Sequence, residues 1–208
     1  MKPDLILAST IVMVQHFKAA TGIPNISIMG YPVEAGFAAS LARPGGNITG
    51  VSVDAGIEIW SKRLEFLREI VPSASRVGLL GIPFLWEHAG AELREAARQR
   101  QIGISLVGSP LEGTLQESEY RRAFETITRQ HADVLIVGAE TENYANRRFI
   151  VELAEKARLP AIYPLREFSE AGGLMAYGFD IGEVYHHAAG YIDQISKAQM
   201  RVRFPFIR

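Results

Sequence analysis

The chain has 208 residues, of which 48% are hydrophobic, 22% charged and 9% aromatic, as in an ordinary globular protein. Its 22 Lys and Arg side chains nearly balance 23 Asp and Glu, so it lacks the basic excess of a general nucleic-acid-binding protein, and we expect no nucleic acid as a partner. The absence of cysteine excludes disulfides, thiolate catalysis and Cys-ligated metal sites. No apolar run approaches the roughly 20 residues that a membrane helix needs.

Short apolar runs bounded by glycine, proline or charged residues predict the strands. The runs are continuous rather than alternating, which is typical of parallel strands covered on both faces. A further short strand is expected after the turn-rich passage 43–50. The runs lie at Leu5–Ala8, Ile26–Met29, Val77–Leu80, Ile104–Val107, Val134–Val137, Ala161–Tyr163 and Leu174–Tyr177.

Between the strands, apolar residues recur at helical spacing and predict amphipathic helices that pack on a sheet. The four clearest stripes are Trp60, Leu64, Leu67 and Val71; Tyr120, Ala123, Phe124 and Ile127; Ile150, Leu153, Ala154 and Ala157; and Val184, Ala188, Tyr191, Ile192 and Ile195. Alternating strands and helices imply parallel crossovers and an α/β fold of doubly wound sheets. Residues 76–178 are predicted to form a nearly self-contained lobe.

Residues 1–54 contain only two clear strand–helix units, which is little for an independent open sheet. Two explanations stay open. Either the last helix returns to complete this lobe, or the sequence is a fragment.

Nucleotide-binding and catalytic motifs such as GxGxxG, GxxxxGK[ST], GxSxG and HExxH do not occur in the sequence. We therefore predict no catalytic residue and no cofactor. Glu183, His186 and His187 share one helix face and could together hold a metal. Because carboxylate–histidine centres take ligands from several helices, a solvated helix face is the favoured interpretation, and no metal site is predicted.

Polar residues follow several of the predicted strands. They are Ser9 and Thr10 after Leu5–Ala8, Glu140 and Glu142 after Val134–Val137, and Arg166 and Glu167 after Ala161–Tyr163. In open α/β sheets ligands bind beyond the carboxyl ends of the strands. Such residues can also cap helices or complement helix dipoles, and both interpretations stay open. Several polar loops at one sheet edge favour a binding cleft.

Three passages resemble one known family. They are residues 31–52, with LARPGGNITG at 41–50; residues 62–72, KRLEFLREIVP; and residues 159–178, with EAGGLMAYG at 170–178. They resemble the type I periplasmic-binding-protein-like component of ABC transporters, in the subfamily related to tryptophan- and tyrosine-binding proteins. The resemblance extends over essentially the whole chain.

The resemblance implies two doubly wound lobes of periplasmic-binding-protein-like type I, joined by a three-stranded hinge, with a small ligand closed between them. Residues 1–54 plus 179–200 would form an incomplete N-terminal lobe, 55–178 the C-terminal lobe, and 201–208 the start of a third hinge crossing, near Val202–Phe206. Other members begin with a signal peptide and two strand–helix units before the strand at Leu5–Ala8. The chain is therefore expected to be N-terminally truncated, and also to lack the family's tail.

Carried over position by position, the resemblance implies eight ligand-binding residues: Ser9, Thr10, Tyr31, Glu140, Glu142, Asn143, Glu167 and Tyr177. The family's aromatic amino-acid binders usually have small polar residues where this chain has Glu140-Thr141-Glu142. Two acids there favour a cationic or amine-bearing ligand. For Tyr177, stacking on the ligand and burial between sheet and helix remain alternatives.

The function expected from the resemblance is the solute-binding component of an ABC importer, which captures an amino acid or related amine and delivers it to a permease. We expect no enzymatic activity. The alternatives are a ligand-sensing domain of the same fold and, third, a hydrolase. The resemblance implies a periplasmic location, whereas the chain would be cytoplasmic if Met1 is the true start. The edge of the strand Leu5–Ala8 would be exposed in an incomplete lobe, and the chain is then expected to self-associate.

Overall fold

A computed structural model describes residues 3–20, 22–54, 56–198 and 205–206. Strands and helices alternate along it in the order β1 (Ile6–Ala8), α1 (Ile11–Ala20), β2 (Asn25–Met29), β3 (Ile48–Ser52), α2 (Ile57–Ile70), β4 (Arg76–Leu80), α3 (Pro83–Gln99), β5 (Ser105–Val107), α4 (Glu117–Arg129), β6 (Val134–Val137), α5 (Thr141–Ala145), α6 (Arg147–Lys156), β7 (Ala161–Tyr163), α7 (Arg166–Glu170), β8 (Met175–Ala176) and α8 (Ile181–Ala198).

The chain divides into two compact units. The first comprises Met1–Ala55 with Phe179–Arg208, and the second is Gly56–Gly178. Of the hinge crossing expected near Val202–Phe206, only Pro205 and Phe206 belong to the described residues.

The first unit contains a parallel sheet in the order β1-β2-β3, with Ala8 opposite Ser27 and Ile26 opposite Thr49. One face of the sheet packs on α8 through Ile26, Ile28, Val51, Val184, Ala188, Tyr191 and Ile195. The other face packs Ala8, Val14, Met29, Phe37, Ala38, Ile48 and Phe206. Since both faces of the sheet are covered, every residue of β2 and β3 is buried, including the polar residues Asn25, Ser27, Thr49 and Ser52.

The second unit contains five parallel strands in the order β5-β4-β6-β7-β8. From β4 the chain winds to one side to form β5 and then returns to the other side for β6. The winding therefore reverses between β4 and β6, with Val77 opposite Val134. At such a switch point the loops after the two strands diverge and leave a crevice at the carboxyl edge of the sheet. Residues 81–82 and 138–140 stand at that point.

These sheets confirm the predicted α/β class with doubly wound parallel sheets. Strands β6 and β7 have the predicted bounds. Strand β8 is shorter than predicted and comprises only Met175–Ala176, because it is an edge strand that pairs with β7 alone. Its flanking residues Leu174 and Tyr177 are exposed.

The four predicted helical stripes correspond to α2, α4, α6 and α8. Val71 and Ala157 are the exceptions within them, since they lie just past the helices as C-caps. Helix α3 has no comparable stripe of large apolar residues, because it buries mainly small ones: Ala89, Gly90, Leu93, Ala96 and Ala97. None of the helices in the described part of the chain is long and apolar enough to cross a membrane.

Candidate functional site

Glu140, directly beyond β6, bridges the switch point of the second sheet. Its Oε1 accepts a 2.9 Å hydrogen bond from the backbone N–H of Ile82, beyond β4. Its Oε2 accepts a 2.8 Å hydrogen bond from Nδ2 of Asn143. Glu140 occupies the N-cap position of α5, but its side chain makes no capping hydrogen bond. The carboxylate therefore ties two loops together rather than capping its own helix.

Two glycines provide the space for the Glu140 carboxylate. A Cβ at Gly81 would lie 2.7 Å from Oε1, and one at Gly138 would overlap Oε2. Burial raises the pKa of Glu140 to about 7, although the hydrogen bonds from Ile82 and Asn143 favour the ionised form and act against that rise. Glu140 thus changes charge near neutral pH.

Asn143 extends this arrangement into the core. It is fully buried, and its Nδ2 also donates to the carbonyl oxygen of Gly138 over 3.2 Å. Its Oδ1 accepts a 3.0 Å hydrogen bond from the hydroxyl of Tyr120 on α4. Tyr120, Asn143, Glu140 and the Ile82 N–H therefore form one chain of hydrogen bonds, which we call the Glu140 network.

The other acidic candidates of this unit differ from Glu140. Glu142 lies in the first turn of α5 and is exposed. Glu167 lies in the first turn of α7, after β7. Its Oε1 is 3.9 Å from Nε of Arg166, while its Oε2 is buried without a hydrogen-bond partner. A buried carboxylate oxygen with no partner is costly, so Glu167 is suited to receiving a donor from a ligand.

Tyr177 follows β8 and is 40% exposed. Its side chain is therefore not buried between sheet and helix, which was one of the two alternatives for this residue. Its backbone N–H donates to the carbonyl oxygen of Tyr163 over 2.9 Å. Its carbonyl oxygen accepts a 3.0 Å hydrogen bond from Nε of Arg63, and its ring packs edge-on against Phe66, with the centroids 5.3 Å apart. Arg63 and Phe66 were not among the predicted site residues.

In the first unit, the side chain of Thr10 caps α1. Its Oγ1 accepts a 3.2 Å hydrogen bond from the backbone N–H of Met13, in the first turn of α1. Ser9, beside it, is half-buried. Both residues follow β1 at the carboxyl edge of the first sheet, where the sequence predicted them.

Tyr31 follows β2 with φ of 56°, a left-handed conformation that is uncommon for a residue with a side chain. Its backbone N–H donates to Oδ2 of Asp54 over 3.1 Å, and the Ser52 hydroxyl donates to the same oxygen. The side chain is only 8% exposed. Asp54, which sequence reasoning missed, therefore joins the ends of β2 and β3.

The residues described offer no group of three or more His, Cys, Asp or Glu side chains that could hold a metal. His186 and His187 on α8 are both exposed, with ring centroids 6.3 Å apart.

A hollow of about 280 Å³ in the second unit is lined in part by Arg76, His131 and Asp133. Arg76 begins β4 and Asp133 directly precedes β6, so this hollow lies at the amino edge of the sheet, opposite the candidate site.

Comparison with known proteins adds to this geometry. The chain matches the model of the ABC transporter substrate-binding protein family over residues 1–206. A tyrosine-binding protein of Clostridioides difficile (strain R20291) is 24% identical over 189 residues, which are 90% of this chain and 53% of that protein. The chain thus spans about half the length of the curated relative that it matches.

Solved structures share the fold. An ABC domain from Streptococcus pneumonia in complex with L-Trp superposes with a TM-score of 0.83 and 20% identity, over 98% of this chain and 68% of that chain. A conserved domain protein from Vibrio cholerae superposes with a TM-score of 0.77 and 22% identity, over 94% of this chain and 64% of that chain. On the family match over nearly its whole length, the chain belongs to the ABC transporter substrate-binding protein family.

Proposed function

We propose that this chain is the ligand-binding part of the substrate-binding component of an ABC importer, and that its ligand is an amino acid with an aromatic side chain or a related amine. The observation that carries the proposal is the family match over residues 1–206. The lack of any catalytic motif is consistent with a protein that binds and releases its ligand unchanged.

The second unit supports the ligand class. At the carboxyl edge of its sheet Tyr177 exposes an aromatic ring, which can stack on a planar group. Glu142 is exposed and Glu167 has a buried oxygen without a partner, so both can accept hydrogen bonds from an ammonium group. Both oxygens of Glu140 already accept hydrogen bonds, so Glu142 and Glu167 are the better carboxylates for a ligand.

The relatives support an aromatic ligand. The C. difficile relative is named a tyrosine-binding protein, and the S. pneumonia structure contains L-Trp. We extend that ligand class to this chain as part of the proposal. The proposed site also includes Ser9, Thr10, Tyr31 and Asn143. Asn143 has no exposed group of its own, and its proposed role is to hold the side chain of Glu140.

Isothermal titration calorimetry and thermal shift of the whole chain test this proposal. L-Tyrosine, L-tryptophan, spermidine and succinate are compared at equal concentrations. We expect the aromatic amino acids to raise the melting temperature most, since a ligand that binds only the folded state stabilises it. A larger rise with succinate would contradict the acidic-site reasoning, and the absence of binding by either aromatic amino acid would contradict the ligand class.

Variants of Tyr177 and Glu142 then locate the ligand. Because the Tyr177 ring is partly exposed, Tyr177→Ala should weaken binding of L-tryptophan by more than its effect on folding explains. Glu142→Gln removes one acid and should weaken binding as well. Glu152→Gln, on the exposed part of α6, is the matched control and should leave affinity unchanged.

The proposed partner is the ABC permease, and the proposed location is the periplasm or the cell exterior, where such a component would meet its solute. The test is ligand-dependent stimulation of ATP hydrolysis by the transporter in proteoliposomes. A ligand-sensing role without transport predicts binding of the same ligands but no stimulation.

We also propose self-association through β1, which is an edge strand of the first sheet.

A further inference from the structure

We infer that Arg63 and Phe66, both on α2, are positioning residues that hold Tyr177 in place and leave one side of its ring open to a planar group of the ligand. This inference rests on the proposed function, because it concerns the same binding site. Neither Arg63 nor Phe66 is among the eight ligand-binding residues that the resemblance implies.

The backbone of Tyr177 is held on both sides. Its N–H donates to the carbonyl oxygen of Tyr163, and its carbonyl oxygen accepts a 3.0 Å hydrogen bond from Nε of Arg63. The next residue, Gly178, has no room for a side chain: a Cβ there would overlap the carbonyl oxygen of Pro164 and lie 3.2 Å from Nη2 of Arg63. The segment after β8 is therefore tightly packed against its neighbours although Tyr177 itself is exposed.

Arg63 is unusual among the charged residues of this unit because it is only 4% exposed. Its guanidinium carbon lies 4.8 Å from the ring centroid of Trp60, one turn earlier on α2. Burial of a cation costs free energy unless hydrogen bonds and neighbouring groups compensate for it. The Tyr177 carbonyl and the Trp60 ring provide such compensation, since a guanidinium both donates in its plane and stacks on aromatic faces.

Phe66 positions the ring itself. It lies three residues after Arg63 and therefore on the same face of α2. Its ring meets that of Tyr177 at 70°, with centroids 5.3 Å apart, which is the favourable edge-to-face arrangement. Nζ of Lys62 lies 4.8 Å from the centroid of the Phe66 ring and makes a cation–π contact with it.

An ordered but exposed ring is useful in a binding protein. Immobilising a side chain costs free energy when it happens during binding, and a ring that is already held avoids much of that cost. We therefore assign the ordering of Tyr177 by α2 to ligand recognition.

Two measurements on the whole chain test this inference. The first is the mobility of the Tyr177 ring, followed by NMR relaxation of 13C-labelled tyrosine, in the wild type and in Phe66→Leu. The second is the affinity for L-tryptophan and L-tyrosine in a double-mutant cycle of Phe66→Leu with Tyr177→Ala. Phe84→Leu is the matched control, because Phe84 is a half-buried aromatic residue on α3 that stacks on His88 instead.

We expect Phe66→Leu to increase the ring mobility and to weaken binding by about three- to tenfold, the range that loss of an edge-to-face contact allows. In the Tyr177→Ala background Phe66→Leu should have no further effect on affinity. Arg63→Lys, which keeps the charge but lacks the planar fork of donors, should weaken binding in the same Tyr177-dependent way.

The results separate the two proposals. If the wild type binds neither amino acid, the proposed ligand class fails, while the ring mobility still tests the positioning. Equal mobility in the wild type and Phe66→Leu would overturn the inference whatever binds. Full additivity of Phe66→Leu and Tyr177→Ala would also overturn it, because Phe66 would then act independently of Tyr177.

Discussion

The side-chain amide of Asn143 donates a 2.8 Å hydrogen bond to the carboxylate of Glu140. The other carboxylate oxygen accepts from the backbone N–H of Ile82, which is 58 residues away in the sequence. One side chain thus joins the loops on both sides of the switch point in the second sheet. This connection holds the two loops at the carboxyl edge of the sheet in a fixed arrangement.

The Glu140 network predicts a pH-dependent stability. Burial raises the pKa of Glu140 from 4.5 to about 7 in the folded state, so the folded chain retains a proton that the unfolded chain has lost in that interval. The free energy of unfolding therefore falls as the pH rises from about 4.5 to about 7, by an amount on the order of 3 kcal/mol. Below pH 4.5 both states are protonated and this loss is absent.

Urea unfolding of the wild type and of Glu140→Gln between pH 4.5 and pH 8 measures this effect. The Gln side chain does not titrate, so the difference in stability between the two proteins should shift in favour of the variant as the pH rises. Glu142→Gln, two residues along and exposed, is the control. A difference between wild type and Glu140→Gln that stays constant with pH would show that Glu140 does not titrate in this range.

A second prediction concerns the buried end of the Glu140 network. Tyr120→Phe removes the hydrogen bond to Oδ1 of Asn143 and leaves that buried oxygen without this donor, so it should lower the free energy of unfolding by about 1–3 kcal/mol. Asn143→Ala leaves the Tyr120 hydroxyl and Glu140 Oε2 without their partner and should cost about 2–4 kcal/mol. Chemical denaturation of both variants and of the double variant gives the coupling. Simple additivity would argue against a direct hydrogen bond between Tyr120 and Asn143.

The third prediction separates two roles of Thr10. Since Oγ1 of Thr10 caps α1 at the N–H of Met13, Thr10→Ala should lower the free energy of unfolding by about 1 kcal/mol. Thr10→Ser retains the capping oxygen and should restore stability. If Thr10 also contacts the ligand, Thr10→Ala will weaken binding of L-tryptophan by more than its effect on folding explains. Calorimetric titration of the two variants at a temperature where both are fully folded distinguishes these outcomes.

The fourth prediction concerns self-association. In the described part of the chain β1 pairs with β2 alone, and Leu7 on this edge strand is 39% exposed. Val12 and Met13 on the following helix are exposed as well. Unpaired edges with apolar side chains recruit other strands, and a lysine on the edge opposes this. Light scattering should therefore show a concentration-dependent dimer that Leu7→Lys shifts towards the monomer.

Leu174→Lys is the control for that experiment, because Leu174 is also an exposed leucine and lies beside an edge strand of the other sheet. It should leave the dimer unchanged. A wild-type chain that remains monomeric at all concentrations would contradict the prediction and would indicate that the β1 edge is protected.

The sequence determined the elements of the fold well where a strand is covered on both faces. Val134–Val137 and Ala161–Tyr163 are continuous apolar runs, and they form β6 and β7 with the predicted bounds. In β6 and β7 an apolar side chain stands at every position, so the ends of these strands are visible in the sequence. Strand β2 also buries the polar residues Asn25 and Ser27, and it begins one residue before its predicted start. Strand β8 is only partly buried, so apolar residues do not mark its ends, and its predicted bounds were too wide.

The sequence also indicated the polar residues at the ends of the strands, but it could not assign their roles. A carboxylate before a helix has the same local signature whether it caps that helix, binds a ligand or bonds to a distant loop. Glu140 does the last of these, through an N–H of Ile82 that only the pairing of β4 with β6 brings near.

Only the tertiary structure revealed Arg63. Its position three residues after Trp60 and four before Leu67 puts Arg63 on the apolar face of α2. A charged residue is rarely buried unless it is paired, and the sequence does not show which group would be its partner. One partner of its guanidinium is the carbonyl oxygen of Tyr177, 114 residues later in the chain. Local periodicity in the sequence indicates which side chains avoid water. The group that compensates a buried charge can lie in a distant segment of the chain, and the two segments meet only when the sheet is complete.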